Sequence, residues 1–173
     1  LDMCVEIVQD ASIGGGFSSM HSRTVRVKPH EELEVSHLFD VSHAHLWSPD
    51  TPHLYHATLT ISENNKPIDV TTQTFGIRSI AFSSEQGFLL NGQPIKLNGG
   101  CLHHDNGLLG AAAFDRAEER KAELMKAAGF NAVRTSHNPP SEAFLDACDR
   151  IGLLVIDEAF DGWRSAKNTY DYS

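Results

Sequence analysis

The chain has 173 residues, with 14 Lys plus Arg against 23 Asp plus Glu, a formal charge of −9 and 40% hydrophobic residues. This length fits one large domain or two small ones with a sizeable core, and the composition excludes a disordered chain. The acidic balance argues against a nucleic-acid-binding surface, and the run Leu153-Leu154-Val155-Ile156 falls far short of the ~20 apolar residues of a membrane helix. Cys4, Cys101 and Cys148 are odd in number and far apart, which excludes a disulfide framework or a CxxC metal knuckle and reads as buried free thiols.

Leu1 to Val8 alternates apolar and polar residues like a strand already under way, without an initiator Met or a basic leader. The chain therefore reads as an internal piece of a longer one. Gly14-Gly15-Gly16 lacks a following helix or phosphate-loop Lys and reads as a hairpin tip. Thr24 to Lys28 alternates again, Pro29 to Glu32 turns, and Leu33, Val35, Phe39 and Val41 share one face of the next run. After the proline-punctuated Trp47-Ser48-Pro49-Asp50-Thr51-Pro52, the residues Tyr55, Ala57, Leu59 and Ile61 repeat that spacing, and Glu63 to Pro67 turns. Short period-two runs with turns about every ten residues suggest a β-sandwich with Trp47 plugging it, although fewer strands are visible than the roughly seven of an immunoglobulin-like domain. His37, His43, His45, His53 and His56 lack carboxylate partners and read as surface residues.

Near residue 80 the pattern changes. Phe88-Leu89-Leu90 and Ile95-Lys96-Leu97 flank Asn91-Gly92, the dipeptide suited to a tight hairpin. Asp115-Arg116-Ala117-Glu118 predicts a helix start with a carboxylate three residues on, Leu124, Met125 and Ala128 its apolar stripe, and Gly129 its stop. A short strand, Phe130 to Arg134, precedes a second helix capped by Ser141, packed through Phe144, Leu145, Cys148 and Ile151, and ended by Gly152. Leu153 to Ile156 reads as a parallel strand covered on both faces. The order β-α-β-α-β predicts right-handed crossovers and a parallel sheet, and three such strands do not close a barrel. The expected organisation is residues 1–79 as a partial immunoglobulin-like β-sandwich and 80–173 as the first three strands and two helices of a TIM barrel.

In such a barrel the chemistry sits at the C-terminal strand ends. These ends carry His103-His104-Asp105, then Arg134-Thr135-Ser136-His137-Asn138, then Asp157-Glu158. Arg134 needs a carboxylate partner, which Asp157 or Glu158 supplies, and such a pair also orients His137 towards hydroxyl groups. Asp157 and Glu158 cannot be the two acids of a glycosidase, because neighbours on a strand point to opposite faces. A hydrolytic metal centre from His103, Asp105, His137 and Asp157 remains an alternative, although the adjacent His103 and His104 do not face the same way. A non-catalytic carbohydrate-binding or scaffold module is the other. Trp163 reads as a sugar-stacking platform or a barrel lid.

Asn131-Ala132-Val133-Arg134-Thr135-Ser136-His137-Asn138-Pro139, followed by Phe144-Leu145, Asp149, Gly152 and Leu153 to Ile156, resembles the barrel motif of glycoside hydrolase family two. Leu46 to Tyr55 and Phe75-Gly76-Ile77-Arg78 resemble its immunoglobulin-like domain running into the barrel. Leu90 to Ile95 and Gly99 to Asp105 resemble its first barrel strand. The resemblance implies a retaining, exo-acting β-glycosidase, most similar to bacterial β-galactosidases, whose two catalytic glutamates lie beyond residue 173. It implies substrate-binding roles for His103, His137, Arg134 and Asp105, and supporting roles for Asp157, Glu158, Asn138 and Trp163. No catalytic residue, metal ligand or cofactor is read within the chain, and a divalent cation in the full-length enzyme is left open. The expected partner is a carbohydrate, not a nucleic acid or a membrane. A homo-oligomeric full-length enzyme in the bacterial cytoplasm or periplasm is compatible with the family. The sequence departs from the commonest pattern at Asn138, where Tyr is usual, and at His104, where an acid is frequent.

Overall fold

The computed structural model describes residues 1–9 and 18–160. The glycine run at 14–16 and Trp163 lie outside the described residues. The chain divides into two compact units, one of Leu1–Trp47 with His53–Ile77, the other of Ser48–Pro52 with the residues from Arg78 onward. No helix among the described residues is long and apolar enough to cross a membrane.

The first unit is a single antiparallel sheet of β1 (Asp2–Gln9), β2 (Ser18–Thr24), β3 (Tyr55–Glu63) and β4 (Lys66–Phe75), in the order β2-β1-β3-β4. Asn64 and Asn65 both take positive φ, 50° and 61°, so the β3–β4 turn has the mirror-image twist that matches paired strands. Ile7, Trp47, Leu54 and Tyr55 are buried, and the Tyr55 hydroxyl accepts from the His45 backbone N–H at 2.9 Å. Trp47 is thus a core residue, as its place in the sequence suggests.

Two expectations fail in this unit. Pairing beyond Thr24 stops at Val25, whose N–H and C=O exchange bonds with Leu1 at 2.8 and 3.0 Å. Residues 31–41 form no strand. The charged Glu31, Glu32 and Glu34 fit a ladder poorly, and the segment meets β2 through side chains: the His37 ring stacks on His21 at 3.4 Å and Phe39 meets His37 edge-on at 4.6 Å. Alternation alone is blind to that difference.

The second unit begins with a meander of β5 (Ile80–Ser83), β6 (Gly87–Leu90) and β7 (Gln93–Pro94). Asn91 and Gly92 make its turn with φ of 52° and 76°. Then β8 (Gly99–Leu102), α1 (Asp115–Ala127), β9 (Ala132–Thr135), α2 (Glu142–Ile151) and β10 (Leu154–Ile156) alternate, and the strands pair in parallel in the order β10-β9-β8. Gly99 is required by this pairing, because a Cβ there would run into the Ala132 carbonyl. Helix α2 follows its sequence signals closely. Ser141 accepts from Phe144 N–H at 3.2 Å, Gly152 ends the helix at φ 80°, and Phe144, Ala147 and Cys148 are buried.

Helix α1 departs from expectation. Phe114, not Asp115, stands at its cap without a side-chain bond, and Glu118 is buried at 1% exposure instead of closing a capping box. Ala122 and Met125 face the core, whereas Leu124 is half exposed. Strand β10 is covered on both faces only at its start: Leu154 is buried and Val155 packs under the helices, whereas Ile156, on the same face as Leu154, is 51% exposed. Of the three cysteines only Cys148 is buried, and Cys101 is exposed.

Candidate functional site

Register decides which side chains meet. In the parallel sheet, Gly100, Val133 and Val155 are level with one another, and Val133 and Val155 belong to the core under the helices. Cys101, Arg134 and Ile156 are the next level row and therefore face the side without helices. Beyond this row the strands end in the loops that carry His103, His137 and Glu158.

Glu158 organises the cluster. Its Oε1 accepts from Arg134 Nε at 2.6 Å and its Oε2 lies 3.0 Å from His137 Nδ1. The Arg134 guanidinium beside it, together with the bond to His137, holds the Glu158 carboxyl below its ordinary value against the opposing effect of burial. An ionised carboxylate only accepts, so His137 Nδ1 carries the proton and Arg134 Nη2, 3.4 Å from that nitrogen, is a neighbour and not a donor to it. With the proton on Nδ1, Nε2 is the ring nitrogen turned away from Glu158. The His103 ring meets the His137 ring edge-on at 5.4 Å. The Ser136–His137 peptide bond is cis.

Arg134 also donates to Cys101 Sγ at 3.2 Å through Nη1. The hydrogen bond from Arg134 pulls the Cys101 thiol below its ordinary range, while those to Glu158 and Cys101 raise Arg134 further. Thr135 Oγ1 donates to Asp157 Oδ1 at 3.2 Å and accepts from Glu158 N–H at 3.4 Å, so one hydroxyl fixes both acids of β10's end. Asp157 and Glu158 accordingly serve different partners.

His103, Arg134, His137 and Glu158 are therefore brought together. Asp105 is not: its Oδ1 accepts from Gly107 N–H at 2.8 Å and shapes its own loop. Asn138 is exposed and lines, with His103, His104 and Ser136, a hollow of about 20 Å³ beside the cluster, too small for a sugar. Arg134 and His137 do not line that hollow. Trp163 lies outside the described residues. No three His, Cys, Asp or Glu side chains converge as a metal-ligand set among the described residues, so the four-residue metal arrangement has no counterpart there.

The sequence reading passed over Cys101, Thr135 and Glu118. Cys101 lies on β8 two residues before His103, which follows the strand end, so period-two alternation is a usable signal for it. Thr135 follows Arg134 directly, and nothing in the sequence marks its hydroxyl as the hub of the third strand end. Glu118 was hidden by its resemblance to a capping residue.

The comparisons agree with this architecture. Residues 7–78 match the model of glycosyl hydrolases family 2, and residues 82–167 match that family's TIM barrel domain. A β-galactosidase of Bacteroides ovatus, BoGH2A, is 43% identical over 143 residues, covering 83% of this chain and 17% of the relative. The crystal structure of a family 2 member from Bacteroides cellulosilyticus superposes with a TM-score of 0.84 at 52% identity, over 99% of this chain and 22% of that one. A β-glucuronidase of Bacteroides uniformis superposes with a TM-score of 0.82 at 31% identity, over 91% of this chain and 19% of that one. The chain thus spans about a fifth of the length of such relatives, and across both of its units it belongs to glycosyl hydrolases family 2.

Proposed function

We propose that this chain is part of a retaining, exo-acting glycoside hydrolase that removes terminal β-linked sugars, with β-galactosides as the preferred class. Residues 1–79 supply part of an immunoglobulin-like domain, and 80–173 supply the first three strands and two helices of the catalytic barrel. The observation that carries the reading is the Arg134–Glu158–His137 cluster with His103 beside it, at the C-terminal ends of parallel strands. The substrate class is supported by the relative named a β-galactosidase, and the β-glucuronidase likeness makes glucuronides the competing class.

The chemistry divides between what this chain holds and what it lacks. A retaining mechanism needs two carboxyl groups about 5–5.5 Å apart across the scissile bond. Glu158 is engaged by Arg134 and His137, and Asp157 is engaged by Thr135, so neither is free to attack or to protonate. The acid/base and nucleophile glutamates belong to later barrel strands. Here His137 Nε2 accepts from a sugar hydroxyl, His103 contacts the same glycone, and Arg134 holds both His137 and Glu158 in place. Asp105 shapes the loop that carries His103, Asn138 borders the site, and Trp163 serves as a sugar-stacking platform or a barrel lid.

The test is an assay of the full-length enzyme on a panel of nitrophenyl β-glycosides. The expected result is turnover of the β-galactoside with retention of configuration, and no turnover by the 173-residue chain alone. Hydrolysis by the purified 173-residue chain, surviving controls for host enzyme, contradicts the reading.

A further inference from the structure

Glu118 is a charged side chain in a place where helix α1 should bury an apolar one. It is 1% exposed and lies outside the Arg134 cluster. Its carboxylate receives three bonds from three parts of the chain. Asn106 Nδ2 donates to Oε1 at 2.6 Å, Lys121 Nζ donates to Oε1 at 3.0 Å, and Ser141 Oγ donates to Oε2 at 3.3 Å. Burial pushes the carboxyl up, and the hydrogen bonds from Asn106 and Lys121 outweigh it, so the group is held ionised.

The donors matter because of what they hold. Asn106 follows His103-His104-Asp105 in the loop after β8, and its amide also bonds Ala112 C=O at 3.2 Å, closing that loop. Ser141 ends the loop after β9 that carries His137 and Asn138, and it caps α2 through Phe144 N–H. One buried carboxylate therefore connects the two loops whose histidines meet at 5.4 Å. Interactions with charged partners are the stronger class of hydrogen bond, and the dry surroundings make this one geometrically demanding. Lys121, itself mostly buried, neutralises the charge.

We propose that Glu118 is a positioning residue for the sugar site: it fixes the strand-end loops of β8 and β9 to helix α1 and thereby sets the spacing of His103 and His137. This inference rests on the glycosidase reading for its consequence in catalysis, but not for the tether itself.

The experiment uses the full-length enzyme and three variants. Glu118→Ala removes the tether and leaves Lys121 buried without its partner. Glu118→Ala with Lys121→Met removes that stranded charge as well. Glu118→Gln with Lys121→Met keeps an acceptor for Asn106 and a group that can bond Ser141 without stranding the Lys121 charge. The Glu118→Ala double variant is expected to melt close to wild type, yet to show at least tenfold faster amide exchange in residues 103–112 and 136–141 and at least a tenfold loss of kcat/KM. Most of that loss is expected in KM, because the glycone contacts are what moves. Glu118→Gln with Lys121→Met is expected to stay within about threefold of wild type in both readouts. If the Glu118→Ala double variant keeps wild-type exchange in both loops, the tether is overturned. If exchange rises but kcat/KM is unchanged, the positioning role is overturned. Inactivity of the wild-type enzyme on every β-glycoside would instead count against the glycosidase reading, and the exchange comparison would still decide the tether.

Discussion

Glu158 uses both carboxylate oxygens to join Arg134 to His137, and this gives its titration a defined sign. Its folded value lies below the ordinary carboxylate value of 4.5. A carboxyl depressed on folding contributes its full stabilisation above that ordinary value and loses it as pH falls through the lower folded one. The cluster is therefore expected to hold through mildly acidic pH and to release His137 only below the usual carboxylate range. Glu158→Ala in the full-length enzyme removes this anchor, and a loss of about 10²-fold in kcat/KM is expected, the scale of a small misplacement at a reacting centre. The two best-described thiols offer an independent check at the same scale. Burial pushes Cys148 up to about 12, whereas Cys101 is exposed and lowered by the bond from Arg134. Thiolate is the reacting form, so iodoacetamide near pH 8 is expected to label Cys101 and to spare Cys148 until the chain unfolds. Peptide mapping by mass spectrometry reads the order, and prior labelling of Cys148 in the native chain contradicts the described core.

At the scale of elements, helix α2 shows what a sequence can specify when its signals are local. Ser141 caps it, Gly152 ends it, and the residues spaced along one face fill the core. Ser141→Ala removes the cap and one bond to Glu118, so a destabilisation of about 1–2 kcal/mol is expected in denaturant unfolding. Gly99→Ala forces a methyl group against the Ala132 carbonyl between β8 and β9, and overpacking of that kind costs about 1–3 kcal/mol. The Asn91-Gly92 turn and the parallel strand order were legible for the same local reasons: positive φ favours those residue types, and alternating strands and helices leave few topologies. The extent of helix α1 was legible, but its cap, the burial of Glu118 and the docking of residues 31–41 were not. Glu118 sits where a capping carboxylate would, and only tertiary packing reveals that it is buried. Residues 33–41 alternate like a strand, and only the ring contacts among His21, His37 and Phe39 explain why they dock without pairing. In the site, the residue types at three strand ends were readable, but which acid pairs with Arg134 depends on strand register, which alternation leaves open.

For the molecule as a whole, one face of the parallel sheet is packed under two helices while the other carries Cys101, Arg134 and Ile156. The polar residues at the strand ends gather on this second face, with Glu158 holding Arg134 and His137 there. The proposed function requires that His103 and His137 touch the sugar. The most direct measurement is a crystal structure of the full-length enzyme with a galactose-like inhibitor bound. The expected result is sugar hydroxyls within hydrogen-bond distance of His103 and His137, with Glu158 still bridging Arg134 and His137. A sugar seated at the catalytic glutamates with both imidazoles out of reach would contradict it.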